Sequence, residues 1–146
     1  MAEIILGKEM YETVTIKNYQ GELLAHFSFN PSDTNIVKRY EDFVKGYADI
    51  APKIEKYENI AETELEKAKL MLHEIDSVIY ELMNTLLDGD CAKDIFGVMG
   101  PLSPTPHGYY VTFIIEHIAT LINNVTGANL KKMDAKVKKH TSKYHK

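Results

Sequence analysis

Between Ala61 and Leu86 the apolar residues Ala61, Leu65, Ala68, Leu72, Ile75, Ile79, Leu82 and Leu86 recur in unbroken steps of four and three. That spacing keeps one stripe of an α-helix turned toward another helix at a shallow crossing, over more than three heptads. The seam demands a helical partner, supplied either by the same chain or by a second subunit in a homo-oligomer. Met71, Val78 and Met83 widen the stripe beyond two positions per heptad, which suits a core-facing helix in a bundle better than an isolated coiled coil.

The rest of the chain supplies candidate partners. Asn30-Pro31-Ser32-Asp33 predicts a helix start with Asn30 as N-cap and Pro31 in the first helical position, where its missing N–H costs nothing. Ile36, Tyr40, Phe43 and Tyr47 then make one aromatic-rich face. Pro52 is expected to stop or kink this helix near Ala51, leaving a long helix around residues 54 to 87 as the main core element. Asp88-Gly89-Asp90 predicts its end, with Gly89 in the left-handed conformation and Asp90 capping a short helix that carries Ile95, Phe96, Val98 and Met99. Three prolines between Gly100 and Gly108 read as an irregular connection barred from both helix and ladder. A last helix runs from about Tyr109 to Thr126, with Tyr110, Phe113, Ile114, His117, Leu121 and Val125 on one side and Gly127 just past its end.

Before these helices the period changes to two. Val14 and Ile16 share a face, and Leu23, Ala25, Phe27 and Phe29 alternate after Asn18-Tyr19-Gln20-Gly21, so residues 11–29 read as a β-hairpin. Two strands alone are marginal in water, and their apolar face must lie on the helices. The expected fold is α+β and predominantly helical: an N-terminal hairpin packed on a bundle of about four helices spanning residues 30 to 127. A chain of 146 residues can bury a core of this kind as one domain, here assigned to residues 1–130.

Charge separates what remains. Lys131, Lys132, Lys136, Lys138, Lys139, Lys143 and Lys146 face one aspartate in the tail 131–146, while residues 1–130 hold 10 basic and 20 acidic side chains. Such a tail can contact an acidic protein surface, an anionic membrane, nucleic acid or the acidic body itself. It contains no Arg and a single aromatic, Tyr144, so it is poorly equipped to read bases; any nucleic-acid binding is expected to be weak, non-specific and lost with salt.

Signatures of chemistry are sparse. Cys91 is the only cysteine, which excludes an intramolecular disulfide framework and a Cys-based zinc site and points to a reducing compartment. No apolar run reaches the ~20 residues of a membrane span, and Glu3 with no preceding basic region is unlike a secretory signal. His73-Glu74 does not open an H-E-x-x-H motif because residue 77 is Ser, and Gly97 with Gly100 forms no phosphate loop. Cys91 beside Asp90 reads as a structural thiol, and Glu116-His117 as neighbours that do not face each other. The expectation is a non-enzymatic protein with no metal and no cofactor.

Three segments carry a resemblance. Phe27-Ser28-Phe29-Asn30-Pro31-Ser32-Asp33-Thr34-Asn35-Ile36-Val37-Lys38-Arg39-Tyr40 resembles the F-x-F-N-P-x-D-x-N-x-x-K-R-Y pattern of small tail-assembly proteins of phages and prophages of Gram-positive bacteria. Ile95 to Pro104, followed by Tyr109-Tyr110-Val111-Thr112-Phe113, is similar to the same family's F-G-x-x-x-P-x-S-P run and aromatic-led last helix, and Lys139 to Lys146 resembles its basic terminus. The resemblance implies a tail assembly chaperone of the host bacterial cytoplasm, which binds the tape measure protein and keeps it soluble during tail morphogenesis. A phage-encoded inhibitor or regulator of a host factor is the alternative. The expected partner surface is the proline-rich connection with its flanking Phe96, Met99, Leu102, Tyr109 and Tyr110, aided by the tail, because a stiff loop beside large amphipathic side chains binds at low entropic cost.

Overall fold

The structure is a computed structural model that describes residues 2–127 and 130; the lysine tail lies outside the described residues. After a short 3-10 turn at Lys8–Met10, strands β1 (Glu12–Lys17) and β2 (Leu23–Phe29) pair antiparallel, with Val14 opposite Phe27 and Ile16 opposite Ala25. Asn18 closes the turn by accepting the N–H groups of Gln20 at 2.9 Å and Glu22 at 3.0 Å through Oδ1. Gly21 adopts φ +83°, a conformation that a residue with a Cβ enters only under strain. Phe27 and Phe29 are buried, so the hairpin lays its apolar face on the helices as its period requires.

Helix α1 spans Asn35–Ile60 and begins four residues later than the expected first position, Pro31. The side chain of Asn30 is spent on its own turn, where Oδ1 accepts from the Ser32 N–H at 3.0 Å and the Ser32 hydroxyl at 2.6 Å. Asp33 serves the helix start instead, accepting the Asn35 N–H at 3.0 Å. Pro52 does not end α1. It and Ala48, whose carbonyl loses its partner to the proline, both lie on the exposed face, so water can satisfy that carbonyl while Tyr47, Ile50, Ala51 and Ile54 continue the buried face in register. The long helix expected at 54–87 is therefore two elements, with a turn at residues 61–64 where Thr63 and Glu64 both donate to the Ile60 carbonyl.

Helix α2 (Leu65–Leu87) folds back antiparallel on α1, and the two approach so closely that a Cβ at Gly46 would fall 2.5 Å from Leu82 Cδ2. Ala68, Ile75, Ile79, Met83, Leu86 and Leu87 are buried, which places the heptad seam in the core of this chain. The seam is shorter than its sequence pattern, since Ala61 lies in the turn and Leu65 is exposed. At its end Asp88, not Gly89, takes the left-handed conformation, with φ 53°. The Asp88 and Gly89 N–H groups return to the Thr85 and Asn84 carbonyls, closing the last turn.

Helix α3 (Ala92–Val98) is capped from α2: the Ala92 N–H donates to Asn84 Oδ1 at 2.8 Å, while Asp90 is drawn to Lys93 at 3.2 Å. The proline-rich connection does form a ladder, of two residues per strand, between β3 (Pro104–Thr105) and β4 (Gly108–Tyr109). Pro104 stands at the start of β3, a strand position that tolerates its missing donor. The Thr105 hydroxyl donates to the Gly108 carbonyl at 2.6 Å and holds the turn.

Helix α4 (Tyr110–Thr126) ends at Gly127, φ 75°, as expected. Its inward face differs from the expected one, because Val111, Ile114, Ile115, Ile118, Ala119 and Ile122 are buried while His117 and Val125 are exposed. The architecture is α+β and mostly helical, a hairpin set on four helices. No helix among the described residues is long and apolar enough to cross a membrane.

Candidate functional site

Four of the five residues expected to form the partner surface are built into the core. Phe96, Leu102, Tyr109 and Tyr110 are buried, and only Met99 is exposed. Phe96 sits between Tyr80, at 5.2 Å between ring centroids, and Tyr110, at 6.0 Å edge-on. The Tyr110 hydroxyl donates to the Ile95 carbonyl at 2.8 Å, and burial pushes its pKa up to about 12. Tyr109 is held by a side-chain hydrogen bond with Glu58, and its phenol is raised by burial and then by that neighbouring carboxylate. The connection turns inward because its backbone is anchored: Tyr110 N–H donates to Ser103 O at 2.8 Å and Val111 N–H to Pro101 O at 2.9 Å. The aromatics thus plug one end of the bundle, and in this conformation the expected surface reduces to Met99.

Open surface is found elsewhere. His73, Asp76, Ser77, Tyr80, Glu81, Asn84 and Thr85 recur at steps of three, one, three, one, three and one, a polar stripe on the side of α2 away from its buried face. With Arg39 from α1 and the turn Asp88-Gly89-Asp90 they line a cleft of about 1080 Å³. Arg39 is held in place by Nε donating to Leu86 O at 3.0 Å and by Nη1 against Asp33 Oδ2 at 3.3 Å. Four carboxylates, Asp76, Glu81, Asp88 and Asp90, outnumber the cationic Arg39 and the titratable His73. One oxygen of Asp76, Oδ1, is buried with no hydrogen-bond partner among the described residues. Burial holds the Asp76 carboxyl above the ordinary carboxylate range, partly offset by His73.

The cleft gathers Ser, His and Asp without arranging them for nucleophilic chemistry. The Ser77 hydroxyl donates to the His73 backbone carbonyl at 3.0 Å, one helical turn back, and so is not directed at the imidazole. Among the described residues no three His, Cys, Asp or Glu side chains converge to hold a metal ion. Cys91 is buried with Sγ toward the Ser28 carbonyl at 3.7 Å; burial, then Asp94 and Asp90, push its thiol up rather than down. His117 is exposed, edge-on to Phe113 at 4.7 Å, and Phe113 in turn stacks on His107 at 6.0 Å. What the cleft offers is acceptors: an acidic trough with the half-buried Tyr80 in its wall, suited to cationic side chains at the spacing of helical turns.

Sequence reasoning passed over this cleft because a polar stripe opposite an apolar one is what any half-buried helix carries. The signal was the excess of carboxylates where the stripe meets the Asp88-Gly89-Asp90 turn. Comparison with protein-family models, with curated proteins and with solved structures returned no match to this chain.

Proposed function

We propose that this chain is a tail assembly chaperone-like protein, binding the tape measure protein of a phage or prophage and keeping it soluble in the host cytoplasm, and that it acts by binding and not by catalysis. The phage assignment rests on the resemblance of Phe27–Tyr40 and Ile95–Phe113 to that family. The observation that carries a binding role is the acidic cleft, open to solvent and lined by Asp76, Glu81, Asp88 and Asp90. An amphipathic helix presenting Lys or Arg one turn apart fits this trough, and helix-in-groove docking is a common mode of recognition for long helical partners. Its charged contacts favour rapid encounter and selectivity over raw affinity.

Co-expression with the tape measure protein of the same tail gene cluster tests the reading. The soluble fraction of that partner is expected to rise with the wild-type chain and to fall back when Asp76→Asn and Glu81→Gln are combined. A partner that stays equally insoluble with the wild type would overturn the chaperone reading, and equal solubilisation by the double variant would remove the cleft from it.

A further inference from the structure

Several carboxylates along α1 and α2 are already neutralised. Glu41 and Asp42 on α1, and Glu66 and Glu74 on α2, each lie within ion-pair distance of a lysine. In the cleft only Asp90 has such a partner, Lys93. Asp76, Glu81 and Asp88 have no lysine or arginine partner among the described residues, and Arg39 is engaged by Asp33 and the Leu86 carbonyl. Like charges gathered on a concave surface reinforce one another and draw in cations.

The same chain carries the cations. Lys132, Lys136, Lys139, Lys143 and Lys146 recur at steps of four, three, four and three, a spacing that sets five ammonium groups on one side of a helix. Ser77, Glu81, Asn84 and Asp88 repeat at steps of four, three and four along the wall of the cleft. A basic and an acidic stripe of one period are complementary along their length. The basic segment departs from a fixed point, since Leu130 is buried and its N–H donates to Asn123 Oδ1 at 3.1 Å. The sixteen residues beyond it extend up to about 50 Å, against a breadth of roughly 35 Å for a body of this size, so the cleft lies within reach.

We propose that the lysine stripe of residues 131–146 occupies the acidic cleft of its own chain and guards it against weak cationic ligands. The proposal rests on the reading of the cleft as a surface for cationic helices, and it adds the competitor that such a ligand must displace. Tethering favours this segment over the same segment of a second copy, because a short linker holds the stripe at millimolar effective concentration, whereas a second copy supplies it only at the concentration of the protein. The apparent affinity of any other cationic ligand is lowered by the fraction of clefts left open. A loosely matched cation is thereby excluded, and a partner helix that binds more tightly than the stripe displaces it.

Two measurements on the full chain test this, and neither involves a tape measure protein. A nitroxide on Ser142→Cys, with Cys91→Ala to remove the natural thiol, is expected to broaden the backbone amide signals of Ser77, Glu81 and Asn84 in the same molecule. The signals should sharpen again in about 1 M NaCl, where screening shortens the reach of charge to about 3 Å, and Glu81→Lys, at an exposed position, should sharpen them at low salt. Absence of broadening in the cleft, or broadening that appears only when labelled and isotope-enriched copies are mixed, would overturn the proposal, the second result assigning the stripe to a neighbouring copy. The other measurement is binding of a fluorescent peptide of residues 131–146, read by anisotropy. A full chain with Lys132, Lys136, Lys139 and Lys143 all replaced by Gln should bind this peptide about tenfold more tightly than wild type, the ratio for a ~100 µM site facing a tethered competitor at about 1 mM. Equal binding by the two chains, or binding by neither, would also overturn it. Tenfold tighter peptide binding beside a wild type that fails to solubilise the tape measure protein would remove the chaperone reading and leave the guarded cleft in place.

Discussion

Arg39 reaches from α1 to the last turn of α2, where the Leu86 carbonyl has no intrahelical donor and receives Nε at 3.0 Å. The same guanidinium meets Asp33 at 3.3 Å, so one side chain ties the start of α1 to the end of α2. Arg39→Met keeps much of the aliphatic stem and removes both bonds; it is expected to cost about 1–3 kcal/mol in urea unfolding. Arg39→Lys should recover little of that loss, because an ammonium lacks the planar fork that serves two acceptors at once. Asp76 gives a pH-dependent counterpart. Its folded pKa is raised by burial above the unfolded value, so the folded state holds the proton more tightly and the penalty of ionisation is present at neutral pH and lost as pH falls through the folded pKa. Asp76→Asn should therefore raise the thermal midpoint at neutral pH, with the difference from wild type narrowing in the acid range; a constant difference from pH 7 to pH 4 would show that Asp76 does not titrate in this way. Side-chain partners at this scale were only partly legible. Asn18 and Gly21 announce their turn because both act within it, but Asn30 and Asp90 have capping chemistry that other groups claim, Ser32 in one case and Lys93 in the other.

Elements were more legible in kind than in limits. Period two and period three-and-a-half separate hairpin from helices because burial imposes those repeats directly. Helix ends were misplaced where tertiary packing overrides local preference, and Pro52 is the clearest instance. Packing on both sides of it holds α1 together although the Ala48 carbonyl loses its donor. Pro52→Ala restores that bond and is expected to stabilise the protein by about 1–3 kcal/mol, read as a higher urea midpoint at unchanged slope; no gain would mean that the proline's restriction of the unfolded chain offsets the lost bond. The inward face of α4 was misassigned because the expected stripe was drawn through His117, whereas His117, Thr120 and Asn124 share the exposed side of the helix and Val111, Ile115, Ile118 and Ile122 the buried one. Ile75, by contrast, lies at the centre of an unambiguous seam and is fully buried. Ile75→Ala should cost about 2–5 kcal/mol, and a loss confined to self-association, with folding stability intact, would place the seam at a subunit interface after all.

At the scale of the whole molecule, the arrangement of hairpin and four helices could be anticipated, while the inside and outside of the proline-rich connection could not. Large aromatics beside prolines look like a binding surface in one dimension, since both a stiff exposed loop and a plug for the end of a bundle call for the same residues. The distinction lies in long-range bonds that composition does not encode: Tyr110 N–H to Ser103 O, Val111 N–H to Pro101 O, and the Tyr109 phenol to Glu58 on α1. These bonds draw the connection against α1 and α3 and close the core, leaving the acidic outer stripe of α2 as open surface. The consequence is a reversal of what the sequence suggests for Tyr109→Ala and Leu102→Ser. As surface residues they would leave the thermal midpoint within a few degrees and weaken partner binding alone. As core residues, Tyr109→Ala removes a buried ring and leaves Glu58 short of a partner, and Leu102→Ser places a hydroxyl in apolar surroundings; each is expected to cost about 3–5 kcal/mol. Met99→Ser, at the exposed rim of the same connection, should change stability by less than about 0.5 kcal/mol. Thermal and urea unfolding of the three variants side by side decide the matter: large losses for the first two with none for the third place the connection in the core, and three small losses would return it to the surface.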